Sequence, residues 1–531
     1  MKEALASNHA AKYLAADLRE RDVLLSTGSL KPVKRGQQKG YQITYRHLCS
    51  FKPHKVGDKQ FDSRLCLHGF RQRASSYDPD RVSTPVAKTE SIKLSMAWAA
   101  GRSDCDGEHA DADRAFLQAS LTSFDGDMWV EPPASWGFPP DTVLQVMNSL
   151  YGLKQSCYNW CEKLDGVLIN GGCVPFLQDP RSFILANYRD GKVYKTFIHA
   201  HVDDVKIIGM EVDVVRAMIA KHIKITCKGP KHKTFCGLEF EYAPNGVVMI
   251  HMRETIDSLM ALCKASGVDL EGSPCPNSPM LPGVAHELMR NYATGPAPND
   301  TFYRSVCGLC VWAECGVRVD ISFALGVLTS ALGKNTPAHD TALLRLVLWL
   351  RGNASHGLVY GGDALERSRG FMGWMDSSFA DGFKAKSTQG YAIKFNGCLV
   401  KWNSRRQQCV ALDTMEAEYV SASAYCRALL GLLNLLMDML LEQGPVITFE
   451  DNSAASGLIT QTPLPRGARH INVRHHFVRE LQQLNVIDVH QCTTDKQQAD
   501  LMTKALDPGK LNINLAALSF MSIEQFHAKY G

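Results

Sequence analysis

Two apolar, β-branched runs flank an adjacent pair of aspartates, Asp203 and Asp204, in the stretch Ile198–Gly209 (IHAHVDDVKIIG). Such runs predict strands, so the acidic pair falls at the tip of a hairpin. His109–Leu121 (HADADRAFLQASL) puts Asp111 at the end of a short apolar segment and follows it with a helix-compatible run. In the last third, Gly370–Gly382 sets Asp376 at the end of a strand-like run, and Tyr391–Trp402 reads as a hairpin turned at Asn396-Gly397. A long helix then opens after Asp413, with Glu416 and Glu418 in its first turns. VITFEDNSAAS ends a β-prone run at Asp451 and enters a helix, and KQQADLMTKAL places Asp500 in another. Asp413 suits an N-cap with Glu416 as its capping-box partner, which marks Glu416 as structural. The longest apolar run, Ala428–Leu441, contains Asp438 and is too short to span a bilayer, so it reads as a buried amphipathic helix.

The chain has 531 residues, more than one domain usually holds. Hydrophobic residues make up 45% and charged residues 21%, which excludes a disordered chain. A net charge of +4 is too small to announce nucleic acid, but its distribution is uneven. Lys31–Arg73 carries eleven Lys and Arg against two acids, a surface suited either to phosphates or to plain solvation. The seventeen cysteines are scattered, with no secretory signal ahead of them, which fits reduced thiols in an intracellular protein. Cys307, Cys310 and Cys315 lie in an apolar, helix-like run without a second ligand pair, too few for a structural zinc. Pro- and Gly-rich stretches at Gly272–Gly283 and Thr294–Asp300 read as linkers.

Neighbouring carboxylates repel and call for a cation. All-oxygen ligands favour magnesium or manganese. A hairpin offering two aspartates to such a metal suits phosphoryl transfer, although an Asp-Asp pair also occurs in solvated turns.

Between Asp111 and Asp203 lies SLYGLKQSCYNW, Ser149–Trp160. The aspartate before AFL, this block and the Val-Asp-Asp turn, in this order, resemble the reverse transcriptase of copia-type (LTR) retrotransposon Pol polyproteins. SLYGLKQ is highly specific to that group. Ser63–Ala100 resembles its fingers-to-palm block, and Cys236–Tyr242 and Arg318–Leu332 resemble its later blocks. MEAEYVSAS, DNSAAS, RHINVRHHFVRE and QQADLMTKAL resemble its ribonuclease H domain. The likeness runs from about Met1 to Leu506.

The resemblance implies an α/β (α+β) chain: a right-hand polymerase fold of fingers, palm and thumb, followed by a ribonuclease H-like α/β domain. The expected segments are fingers and palm over 1–242, thumb and connection over 243–362, ribonuclease H over 363–506 and a C-terminal tail over 507–531. The implied activity is RNA- and DNA-directed DNA synthesis with ribonuclease H cleavage. The alternative is a catalytically weak or degenerate copy that binds nucleic acid. Two Mg2+ ions per site are implied, with Mn2+ as a substitute. Asp111, Asp203 and Asp204 would hold them in the palm, and Asp376, Glu418, Asp451 and Asp500 in the second site. Phe116 is implied as a gate against the ribose 2′-hydroxyl or, failing that, a core aromatic. Lys154 and Gln155 are implied beside the nucleotide, Arg64 on its triphosphate and His201 at the primer end. His470, His475 and His476 are open between proton transfer, structure and phosphate contact.

Implied partners are RNA template, DNA primer, RNA–DNA hybrid and deoxynucleoside triphosphates, no membrane, and the integrase and capsid products of the same element. The expected location is intracellular, in a cytoplasmic virus-like particle or the nucleus. The chain departs from the group at His201, where Tyr is usual, and at Asp113 and Arg114. It reads as part of a longer polyprotein or a truncated copy.

Overall fold

The aspartate hairpin forms at the centre of a six-stranded sheet. The computed structural model describes residues 2–52, 57–122, 125–229, 232–294, 300–460 and 476–531. Strand Lys192–His201 pairs antiparallel with Ser182–Arg189 on one side and Asp204–Gly209 on the other. Asp204–Gly209 in turn pairs with Asp106–Ala112, which meets Ile225–Cys227. Helices Ser156–Asn170 and Val212–Ala220 cover one face. They close a core around Trp160, Leu164, Phe183, Ile198 and Ile207. Helix Thr89–Ala99 packs against this sheet through Phe197 and Ile208. This is the palm expected from the sequence.

Ahead of it, helix Ala10–Ser26 and strands Leu30–Lys34, Tyr45–Phe51 and Phe61–Leu67 form the basic fingers. The segment after Asp111 is a short 3-10 turn, Ala115–Gln118, rather than a longer helix: it begins after Arg114, in the left-handed region at φ 52°, and ends where Ala119 turns extended. The Asn396-Gly397 hairpin forms as predicted, with both residues at positive φ as a type I′ turn requires.

The last third builds a five-stranded mixed sheet. Phe371–Ser378 lies between Thr388–Phe395, antiparallel, and Val446–Glu450, parallel; Cys398–Arg406 and Ile487–Gln491 complete the edges. In chain order the strands run 3-2-1-4-5, the ribonuclease H-like arrangement. Helix Thr414–Asp438 lies on this sheet. By length and composition it could cross a bilayer, yet 61% of its most apolar window is buried inside the protein. Cys307 and Cys310 sit in the core of helix Asp300–Gly316, and Cys315 is exposed.

Two boundaries move. A five-stranded sheet orders Thr234–Phe235, Leu238–Tyr242, Val248–His251, His356–Tyr360 and Phe520–Ser522, so it crosses the divisions expected at 242 and 506. Residues 507–531 are therefore not a tail. Pro508–Ala517 and Ile523–Tyr530 are helices, Phe520–Ser522 pairs with His356–Tyr360, and Phe526 is fully buried. One apolar core also runs from Ile92 of the palm through Leu346 to Tyr425 and Phe520.

Two candidate active sites

Register aligns the palm carboxylates. Asp204 lies opposite Asp111 in one pairing and opposite His201 in the other. The two-residue turn between His201 and Asp204 puts Val202 at φ 56°, a costly conformation for a β-branched residue. The turn is braced: Trp160 Nε1 donates to the Val202 carbonyl at 2.6 Å, and the Ala112 amide to the Asp203 carbonyl at 2.9 Å. The tryptophan of the SLYGLKQSCYNW block thus holds the aspartate turn in place.

Burial raises the Asp203 carboxyl, and Asp111 and Asp204 add to the rise. Burial also pushes on Asp204, but His109 and Lys228 outweigh it and hold that carboxyl below its ordinary value. Lys228 Nζ lies 3.1 Å from Asp111 and 3.3 Å from Asp204, an ammonium drawn to the point where the carboxylates call for positive charge. The hard oxygens of Asp111 and Asp204 share that point, a donor type that suits magnesium, while Asp203 does not join them within 4.8 Å.

The other palm residues divide. The Phe116 ring stands edge-on to Tyr151 at 5.5 Å, and the Arg64 guanidinium lies 5.0 Å from the same Tyr151 ring. Arg64 also acts electrostatically on Asp203. These three line one region with the aspartates. Lys154 Nζ donates to Tyr77 OH at 2.7 Å, above that ring. Gln155 is buried and accepts from Gln72 Nε2 at 3.0 Å, so it braces the loop from within. His201 is half-buried at the end of its strand.

The second site is tighter. Asp376 lies two residues before the end of strand Phe371–Ser378, Asp451 follows Val446–Glu450, and Asp500 opens the short helix Asp500–Thr503. Carboxylate oxygens of these three all lie within 4.8 Å of one another. Glu418 converges equally with Asp451 and with Glu450, a residue absent from the sequence expectation. Thr503 donates to Asp376; Lys504 Nζ reaches Asp500 at 2.5 Å and Asp376 at 3.7 Å, and Lys510 pairs with Asp500. Burial, only partly countered by Lys504, pushes Asp376 up to about 7. Burial and then Glu450 raise Glu418. This oxygen-only donor set also suits magnesium. Asp413 caps the helix as predicted, accepting from the Glu416 amide at 2.7 Å; the Glu416 carboxylate accepts from the Leu412 amide at 2.7 Å, one residue before the N-cap amide that a capping box uses. His476 Nδ1 lies 3.2 Å from Tyr419 OH, at a helix start. His470 and His475 lie outside the described residues.

Sequence reasoning missed Tyr151, Lys228, Glu450, Lys504 and Lys510. Only Glu450 left a signal: period-two alternation from Thr448 sends it to the same face of its strand.

Residues 35–268 match the family described as "Reverse transcriptase (RNA-dependent DNA polymerase)". The chain is 26% identical over 530 residues to the "Retrovirus-related Pol polyprotein from transposon TNT 1-94" of Nicotiana tabacum, covering 97% of this chain and 38% of that protein. It is 27% identical over 458 residues to the transposon RE2 Pol polyprotein of Arabidopsis thaliana, covering 84% and 30%. The chain thus spans about a third of the length of these relatives. Among solved structures, a foamy viral protease-reverse transcriptase in complex with double-stranded DNA is similar at TM-score 0.48 and 12% identity, over 91% of this chain and 70% of that one. Residues 35–268 thus match a reverse transcriptase domain, and the chain is similar over most of its length to copia-type retrotransposon Pol polyproteins.

Proposed function

We propose that the chain is an RNA- and DNA-directed DNA polymerase that also cleaves the RNA strand of an RNA–DNA hybrid. The observation that carries the reading is the pairing of Asp111 with Asp204 beside a braced Asp203 turn, within a reverse transcriptase domain. Its substrates are a primed RNA or DNA template and deoxynucleoside triphosphates. Asp111, Asp203 and Asp204 would hold magnesium in the palm, and Asp376, Glu418, Asp451 and Asp500 in the second site. When bound, two such ions neutralise the phosphate and acidify the attacking hydroxyl or water.

The chain's own residues do the positioning. Phe116, set against Tyr151, fills the space a 2′-hydroxyl would need. Arg64 offers a guanidinium to the triphosphate oxygens. His201 meets the primer end. Lys154 and Gln155 hold the nucleotide-side loop through Tyr77 and Gln72. Lys504 and Lys510 pair with the Asp500 carboxylate and hold it in place. Free cysteines throughout suit a reducing compartment, in line with copying inside the cell in a virus-like particle or the nucleus, beside the element's integrase and capsid products.

His201, in place of the usual tyrosine, favours a second reading, a weak copy that binds nucleic acid without efficient synthesis. One set of assays separates the two. Wild-type protein should extend a primer on poly(rA) with magnesium and cut hybrid RNA. Asp203→Asn should lose extension alone, and Asp451→Asn cleavage alone. Wild-type protein that binds primer–template but extends it with neither magnesium nor manganese establishes the second reading.

A further inference from the structure

We propose that Glu450 is a metal ligand, so that Glu418, Glu450 and Asp451 form a second divalent-cation pocket sharing Asp451 with the Asp376–Asp451–Asp500 set. The proposal rests on reading the last third as a metal-dependent nuclease, and it adds a carboxylate beyond the four assigned above.

Strand geometry fixes where Glu450 points. Thr448 faces helix Thr414–Asp438, its hydroxyl 2.9 Å from Tyr425 OH. Phe449 faces the other way and stacks on Trp374 at 5.3 Å. Glu450 therefore turns inward beside Glu418, and it is fully buried. One of its oxygens accepts from the Asn452 amide at 3.0 Å. The other, Oε2, has no partner among the described residues, and neither does Glu418 Oε2.

Buried polar oxygens without partners are rare, and buried carboxylates are paired or bound to metal. The lysines of the site pair with Asp376 and Asp500. The Glu418–Glu450–Asp451 side instead brings three hard oxygens within 4.8 Å of one another, with two of its carboxylates carrying an open oxygen. A cation of the magnesium or manganese class satisfies those oxygens and offsets the mutual repulsion. A carboxylate common to two pockets is what a two-ion site requires.

The test uses the full chain in an Asp111→Asn background, which silences the palm, and Mn2+ as the probe. Free Mn2+ is counted by electron paramagnetic resonance during titration. Glu450→Gln keeps the shape and removes the charge. It should weaken one bound equivalent at least tenfold while the equivalent held by Asp376 and Asp500 persists. Unchanged affinity for every equivalent in folded Glu450→Gln would make Glu450 a neutral buried acid and overturn the proposal. Should that variant not fold, the protein with Glu450 intact gives the answer: Fe2+ with ascorbate and peroxide should cut the backbone beside Glu418 and Glu450 as well as beside Asp376 and Asp500. Cuts near Asp376 and Asp500 alone also overturn it. Mn2+ binding nowhere in this domain, with no hybrid cleavage, removes the nuclease reading as well.

Discussion

Lys228→Met should tighten metal binding in the palm. The ammonium lies 3.1 Å from Asp111 and 3.3 Å from Asp204, so an incoming cation must displace it. Each contact is worth about 5 kcal/mol by Coulomb's law at an effective dielectric constant of about 20. The three side chains are 28%, 39% and 34% exposed, and solvent cuts each contact to about 1 kcal/mol or less. Releasing two contacts gives about 1–2 kcal/mol, or roughly 5- to 30-fold in affinity. Methionine keeps the length of the side chain without its charge. The variant should therefore bind Mn2+ more tightly in an Asp451→Asn background, and its Mg2+ midpoint for primer extension should fall by that factor. His109 still faces Asp204, so the pocket keeps one polar partner when the lysine is gone. A midpoint that stays the same or rises would refute the reasoning and make Lys228 a bystander or a substrate contact.

Phe116→Val should raise ribonucleotide use relative to deoxynucleotide, read as the ratio of kcat/KM for the two sugars; an unchanged ratio reduces Phe116 to packing against Tyr151. His201→Tyr should speed extension, because a phenol ring offers more stacking area at the primer end than an imidazole. Slower extension by the tyrosine variant across pH 6–8 would show that the histidine is itself useful.

What the sequence revealed and what it hid follow from the range of the interactions. Asp203 and Asp204 were legible because two apolar runs flank them within a dozen residues, and their hairpin forms in that register. The Asp413–Glu416 cap and the Asn396-Gly397 turn are equally local. The C-terminal residues were misread because Phe520–Ser522 contributes only a short strand, paired with His356–Tyr360 more than 160 residues away. Lys228 was invisible for the same reason: it follows strand Ile225–Cys227, which pairs with the Asp111 strand only when the sheet closes. Glu450 was overlooked beside Asp451, although the alternation of its strand pointed it inward. The domain divisions failed where a single apolar core and a shared sheet join segments that linkers separate in sequence.

That continuity has a weak point at Lys93. It sits on the palm helix Thr89–Ala99, buried where helix Asp300–Gly316 and the ribonuclease H-like strand Cys398–Arg406 meet. Its ammonium donates to the Cys315 carbonyl at 3.3 Å and lies 4.1 Å from the Trp402 ring. Glu90, Glu314, Cys315 and Lys401 are the titratable groups around it. Burial dominates them and lowers Lys93 from 10.5 to about 8. Below pH 8 both folded and unfolded chains carry the proton, and the folded state bears a penalty of about 3 kcal/mol. Between about 8 and 10.5 the unfolded state binds more protons, so stability attributable to this residue rises with pH. Lys93→Met removes the charge and gives up one hydrogen bond worth about 1 kcal/mol. The variant should thus be more stable than wild type by about 1–2 kcal/mol at pH 7, as replacement of buried charges by apolar groups often is. That advantage should shrink as pH rises above about 8 and be gone before about pH 10.5, where folded Lys93 is neutral while half of the unfolded chains still carry the proton. Denaturant midpoints at pH 7, 8.5 and 10 read the difference directly. An advantage that stays flat across this range, or a variant weaker at pH 7, would mean that the cation cements the palm to the ribonuclease H-like sheet rather than straining the joint.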